Sequence, residues 1–167
     1  MSTYRYCISL GSNLGDKTKN IQNALTFLNT KPLQVIQASG FYASAAWGYQ
    51  STNDFINACA IIESALEPTQ ILTHIKAYEQ KAGRLKNDGE QGYTDRIIDL
   101  DILLCNNLVI KSEKLEIPHP QMHNRNFVLV PLNEIGAKII HPVFKQTIAE
   151  LIQVKNDTGE VIKLNIN

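Results

Sequence analysis

The stretch DRIIDLDILL, residues 95–104, limits the possible folds more than any other part of the chain. Its density of Ile and Leu reads as a β-strand. Strand side chains alternate between faces, so Ile98, Leu100, Ile102 and Leu104 line one side, and Ile97, Asp99, Asp101 and Leu103 line the other. One face must be covered by a core, yet the other carries two acids side by side. Their Cα atoms lie about 6.6 Å apart in a strand, and at an effective dielectric near 20 two such charges repel by about 2.5 kcal/mol. Two arrangements relieve that repulsion. One is an edge strand whose acidic face meets water. The other is a cation site, because hard ions such as magnesium take carboxylate oxygens and fill their remaining positions with water and substrate phosphates.

The rest of the chain supplies partners for this strand. Residues 4–10 read as a strand, Gly11 to Asp16 as a loop, and Asp16 as the N-cap of a helix that buries Ile21, Leu25 and Leu28. Strand-like runs follow at about 33–44 and 55–63, separated by the loop AAWGYQSTND. A second helix starts at Pro68, turns Ile71, Leu72, Ile75 and Tyr78 inward, and stops at Gly83. The polar stretch RLKNDGEQGYTD then leads into the acid-bearing strand at about 96–105 and is expected to move. Beyond it come a small hairpin in LVIKSEKLEI, a loop PHPQMHNRN, a helix FVLVPLNEIG perturbed by Pro131, a short helix near 147–153, a turn at NDTG and a last strand. The order strand, helix, two strands, helix, strand predicts an α+β fold: a ferredoxin-like α/β sandwich with a mainly antiparallel sheet, helices packed on it and mobile loops at the site. At 167 residues, a single domain spanning 1–167 is expected.

Charge and composition exclude several classes of function. Sixteen basic and sixteen acidic residues leave no net field to attract nucleic acid or an anionic membrane. No apolar run approaches bilayer length and no signal region opens the chain, so a cytoplasmic protein is expected. A monomer is expected separately, since the sequence itself does not give the oligomeric state. Cys7, Cys59 and Cys105 sit in apolar runs without a C-x-x-C pair and read as core thiols of a reducing compartment.

Two motifs look functional and are better explained otherwise. GSNLGDKT, residues 11–18, is one substitution from a phosphate-binding P-loop, but Asp16 stands where that loop needs its second glycine. A carboxylate there opposes anion binding, so the segment reads as a tight strand-to-helix turn. His119 and His123 have the spacing of zinc ligands, yet Pro118 and Pro120 disfavour the helix that would align them. A phosphate contact suits His119 better.

Arg84, Lys86, Arg96 and Arg125 fall next to the polar loop, the paired acids and the HPQMHNRNF segment, and forked guanidinium groups suit phosphate oxygens. Trp47, Phe55 and Phe127 read as core aromatics or as a slot for a flat heterocycle, whose edge Asn57, on the same strand face as Phe55, can read by hydrogen bonds. These residues leave three readings open: a phosphoryl-transfer enzyme, a metal-dependent phosphohydrolase using Asp99, Asp101, His119 and His123, and a non-catalytic nucleotide- or protein-binding module.

SLGSNLGD, FINACAIIE, DRIIDLDILL and IPHPQMHNRNFVLVPLNEI, in this order and spacing, resemble the 6-hydroxymethyl-7,8-dihydropterin pyrophosphokinases of folate biosynthesis over roughly residues 4–145. The resemblance implies an ATP-dependent diphosphokinase, a transferase that moves the β,γ-pyrophosphoryl unit of ATP to the pterin hydroxymethyl group and leaves AMP. It implies two magnesium ions held by Asp99 and Asp101, with ATP as co-substrate. It further implies that Arg84 and Arg96 act as lid arginines, that His119 and Arg125 contact phosphate, and that Ile102 borders adenine. Phe55 and Phe127 would sandwich the pterin, Asn57 would bind its edge, and the backbone around Ser44 and Trp47 would complete the pocket. The chain departs from the family at Phe55, where tyrosine is often found. It departs again at Asp95, which replaces a proline and is expected to weaken the grip of Arg96 on phosphate.

Overall fold

The computed structural model describes residues 2–83, 94–154 and 157–166. Strand β1 (Tyr4–Ser12) leads through the Gly11–Asp16 turn into helix α1 (Lys17–Leu28). The Asp16 side chain accepts a hydrogen bond from the Lys19 N–H, which caps the helix as the sequence predicts. Strands β2 (Leu33–Ala38), β3 (Tyr42–Ser44) and β4 (Phe55–Ser64) follow, then helix α2 (Pro68–Lys81) and strand β5 (Asp99–Cys105). Pro68 opens α2 as expected, and Gly83 ends it with φ at +110°. A hairpin of β6 (Ile110–Lys111) and β7 (Glu116–Ile117), a 3-10 turn at Met122–Asn124, helices α3 (Asn126–Gly136) and α4 (Ile148–Gln153), and strand β8 (Val161–Lys163) complete the chain.

Within the main sheet the described strands run β5-β1-β4-β3-β8, with β2 also paired to β4, and every pairing is antiparallel. Taking β2 and β3 as one interrupted strand gives the ferredoxin-like order predicted from the element sequence. The run 33–44 divides because Ser39 turns its hydroxyl onto the chain: Ser39 Oγ donates to Gly40 O and accepts from Cys59 N–H.

Alternation assigns each strand face to a different helix layer. Tyr6, Ile8 and Leu10 of β1, Ala58, Ala60 and Ile62 of β4, and Leu100 and Ile102 of β5 meet Ile21, Ala24 and Leu28 of α1 and Ile71 and Ile75 of α2. Cys7, Cys59, Ile61 and Leu103 point the other way, into Val128, Leu129 and Leu132 of α3 and Ile148 and Leu151 of α4. All three cysteines are free and buried. The layer of α3 and α4 covers one part of its sheet face, and the site lies on the same face farther along the strands.

At the edge of the sheet β5 pairs with β1, and its outer side meets other groups. The buried Glu79 carboxylate of α2 accepts from Leu100 N–H at 2.8 Å, and His119 N–H donates to Leu103 O at 2.9 Å. These two bonds occupy part of the edge that would otherwise be open to a further strand. No described helix is long and apolar enough to cross a membrane.

Candidate active site

Three adjacent strands build the floor of a cleft. In the register of β1 with β5, Ser9 faces Asp101 and Gly11 faces Asp99; in that of β1 with β4, Gly11 faces Asn57. Asp99, Asp101, Ser9, Gly11, Phe55 and Asn57 therefore share one sheet face by the two-residue period alone. Gly11 keeps this floor low. A Cβ at that position would stand 3.4 Å from Asn57 Oδ1 and 3.5 Å from the Phe55 ring. Ser44 of β3, Ala45, Trp47 and Tyr49 of the following loop, Thr94 and Arg96, and Arg125 and Phe127 at the start of α3 form the walls.

The sequence places nine site residues that the structure gathers in this one cleft: Ser44, Trp47, Phe55, Asn57, Arg96, Asp99, Asp101, Arg125 and Phe127. Ile102 is positioned differently. Its side chain is 5% exposed and belongs to the core under α1 and α2, on the strand face opposite the two acids. His119 follows β7 and is half-buried, with its Nδ1 accepting from Gln121 N–H at 3.1 Å. Burial, then the positive charge of Arg125, push its imidazole down to about 4, while Asp99 opposes them, so it is neutral near pH 7. His123 lies against the Phe144 ring, 4.8 Å between centroids. Arg84 and Lys86 lie outside the described residues.

Charge in the cleft is arranged around the two acids. Burial, and then the neighbouring charge of Asp99, push the Asp101 carboxyl well above the usual carboxylate range, with Arg125 opposing. Asp99 is paired with Arg96, Nη1 to Oδ1 at 3.0 Å. The β5 acids thus lie on an edge strand, as one of the two arrangements required, but in a half-buried cleft rather than on a solvated face. Arg96 is 12% exposed in its side chain, and its buried Nε has no hydrogen-bond partner among the described residues. A guanidinium with an unmet donor beside a carboxylate pair suits an incoming anion that arrives with its own cation.

Stacking and hydrogen bonding set the apolar half of the cleft. The Arg125 guanidinium lies 4.5 Å from the Trp47 ring centroid and 5.7 Å from that of Phe127. Asn57 is 2% exposed, and its Nδ2 donates to Ser44 Oγ at 2.7 Å, which orients the amide. Arg125 and Phe127 flank Asn126, whose N–H donates to Asp157 Oδ2 at 2.9 Å and whose Nδ2 donates to Asp157 O and Gly159 O. Ser44 pairs with Val161 of β8. The C-terminal segment therefore braces both walls.

Asp95 and Arg96 point their side chains to different partners. The Asp95 carboxylate turns to Asn13, Tyr49, Ser51 and Asn53, while the Arg96 guanidinium turns to Asp99. No local pattern marks Asn13, Tyr49 or Thr94 as a site residue. Asn13 stands in the SLGSNLGD segment, but its partners come from residues 36 to 83 positions away, which no local pattern encodes.

Among the described residues no three His, Cys, Asp or Glu side chains group as a metal cage. Two half-buried carboxylates that repel each other are nevertheless hard oxygen donors that gain from a divalent cation. Magnesium characteristically takes one or two carboxylates and completes its shell with water and phosphate. The residues present fit that ion.

A sequence profile of the 7,8-dihydro-6-hydroxymethylpterin-pyrophosphokinase family matches residues 7–137. The chain is 40% identical over 136 residues to a 2-amino-4-hydroxy-6-hydroxymethyldihydropteridine pyrophosphokinase of Porphyromonas gingivalis, covering 81% of this chain and 92% of that protein. It is 38% identical over 159 residues to the Haemophilus influenzae protein of the same name, covering 95% and 96%. Among solved structures, a Plasmodium falciparum HPPK-DHPS crystallised with pteroate superposes with a TM-score of 0.73 at 16% identity, over 92% of this chain and 44% of that longer one. That likeness concerns the fold.

Proposed function

The chain belongs to the 7,8-dihydro-6-hydroxymethylpterin-pyrophosphokinase family, and from that premise we propose that it uses ATP and magnesium to pyrophosphorylate 6-hydroxymethyl-7,8-dihydropterin in folate biosynthesis. The hydroxymethyl oxygen forms a bond to the β-phosphorus of ATP. The bond from that phosphorus to the α,β-bridging oxygen breaks, AMP leaves, and the alcohol proton passes to water. The observation that carries this reading is the meeting, in one cleft, of a carboxylate pair, two guanidinium groups and an aromatic slot with an amide beside it.

Each group has a task that its position supports. Phe55 and Phe127 offer ring faces to the flat pterin, and Asn57, held by Ser44, presents its amide to the heterocycle's donor and acceptor edge. Arg96 and Arg125 donate to the phosphate oxygens as charge builds on them, and His119, neutral and influenced by the charges of Arg125 and Asp99, is assigned a phosphate contact by the family resemblance. Asp99 and Asp101 would hold the metal. Magnesium, when bound, neutralises phosphate charge and lowers the pKa of the attacking alcohol. Asp99 now pairs with Arg96, and an Asp99 engaged as a metal ligand would leave that guanidinium to phosphate. The sunken floor at Gly11 leaves room for the substrate beside the acids. Balanced charge and three buried free thiols support a cytoplasmic enzyme, here taken to act as a monomer.

The test is an incubation with ATP, magnesium and 6-hydroxymethyl-7,8-dihydropterin. AMP and a pterin diphosphate should appear in equal amounts, and only when the pterin is present. Phosphate released from ATP without the pterin would instead mark a phosphohydrolase.

A further inference from the structure

Arg96 is placed in the cleft through its backbone. Its N–H donates to Asn13 Oδ1 at 2.6 Å, and its carbonyl accepts from Asn13 N–H at 3.0 Å. Asn13 is 2% exposed, so this pair is shielded from water. The Asn13 Nδ2 then donates to Asp95 Oδ1 at 2.8 Å. The same carboxylate oxygen accepts from Tyr49 Oη at 3.0 Å and Ser51 Oγ at 2.7 Å, and Oδ2 accepts from Asn53 Nδ2 at 3.0 Å. Three stretches distant in sequence converge on one side chain: the turn after β1, the loop 49–53 and the lead into β5.

An ionised carboxylate is the group suited to this junction. It accepts four hydrogen bonds and donates none, and here four donors face it. Bonds to a charged acceptor are shorter and stronger than neutral ones. Those bonds, Ser51's foremost, hold the Asp95 carboxyl below its usual range, so it stays ionised at neutral pH. Adjacent Arg96 is left to face Asp99. Tyr49 lines the cleft on the same loop as Trp47.

We infer that Asp95 is a positioning residue that latches the 49–53 loop to the Asn13–Arg96 backbone pair, holding the aromatic wall and the Arg96 guanidinium in one fixed relation. Its effect on turnover rests on the function proposed above; its effect on the loop does not.

Trp47 is the single tryptophan of the chain, so its fluorescence reports on this wall. The full-length protein is compared with Asp95→Ala, Asp95→Asn and Ser51→Ala by acrylamide quenching, thermal melting and steady-state kinetics. Asp95→Ala should make Trp47 clearly more quenchable and lower kcat by about tenfold or more, with KM for ATP within about threefold. Asp95→Asn keeps one acceptor oxygen for Asn13, Tyr49 and Ser51 and should return both readouts toward wild type. Unchanged quenching and kcat in Asp95→Ala overturn the inference, as does a lower melting temperature with neither change. If Asp95→Ala fails to fold, Ser51→Ala removes one donor to the latch and must still raise quenching; unchanged quenching there overturns it equally. A wild-type protein without pterin-dependent AMP formation would refute the function, while the quenching comparison still decides the latch.

Discussion

Replacing Asp101 by Asn should stabilise the ligand-free protein while abolishing turnover. In the fold Asp101 is half-buried, and Asp99 sits two residues away on the same strand face. Two charges at that spacing, about 6.6 Å, repel by about 2.5 kcal/mol at an effective dielectric of 20. The attraction of Arg125, and more weakly of Lys76, cancels part of this. A net gain of about 1–2 kcal/mol is expected, which raises Tm by roughly 2–8 °C for a chain of this size. The sign depends on pH. Because the folded carboxyl titrates above its unfolded value, the destabilising charge is fully present above the folded pKa, and acidification toward the unfolded pKa removes it. The Tm advantage of Asp101→Asn measured by scanning calorimetry should therefore be largest near pH 8 and shrink toward pH 5. In wild type, magnesium with a nonhydrolysable triphosphate should raise Tm, and in the variant it should not. A variant that melts below wild type at pH 8, or whose advantage is the same at pH 5, would refute the reasoning.

Arg96→Ala should lower kcat by about 10²–10³-fold with little change in ATP affinity, because its donors act on charge that develops during transfer; equal losses in kcat and in ATP binding by calorimetry would mark a mere binding residue. Asn57→Ala removes a buried, oriented amide and should weaken pterin binding by about 1–3 kcal/mol while leaving ATP binding near wild type, read by titration of each ligand. His141 is 3% exposed, its Nδ1 accepts from Val143 and Phe144 N–H, and burial pushes it down to about 4. Its neutral form is the one folding selects, so it contributes to a loss of stability as pH falls from about 6.5 to 4. His141→Asn keeps an acceptor without a proton to gain and should flatten that part of the Tm–pH curve; an unchanged curve counts against the assignment.

Much of the architecture follows from local pattern. The apolar spacing in 17–28 and 68–81 marks both helices of one layer, and Asp16, Pro68 and Gly83 mark ends that the structure confirms. Alternation in 99–105 is enough to put Asp99 and Asp101 on one face and Ile102 on the other, and the structure keeps that division. The same rule sets Phe55 and Asn57 together on β4. The break at 39–41 was not legible, because it depends on Ser39 meeting Cys59, twenty residues on. The stacking of Arg125 on Trp47 joins a loop to a helix start far along the chain. The partners of Asp95 are not legible for a similar reason. Next to an arginine in sequence, an acid reads as its partner, whereas the loop at 49–53 outcompetes the neighbour with four oriented donors, three of them from that loop.

The central claim is that the carboxylates of β5 bind divalent ions together with a nucleoside triphosphate. Manganese binding, followed by electron paramagnetic resonance with a nonhydrolysable ATP analogue, tests it most directly. The account predicts that the analogue draws manganese onto the wild-type protein and that Asp99→Asn and Asp101→Asn each abolish the effect while staying folded. Undiminished manganese binding in either folded variant would contradict it.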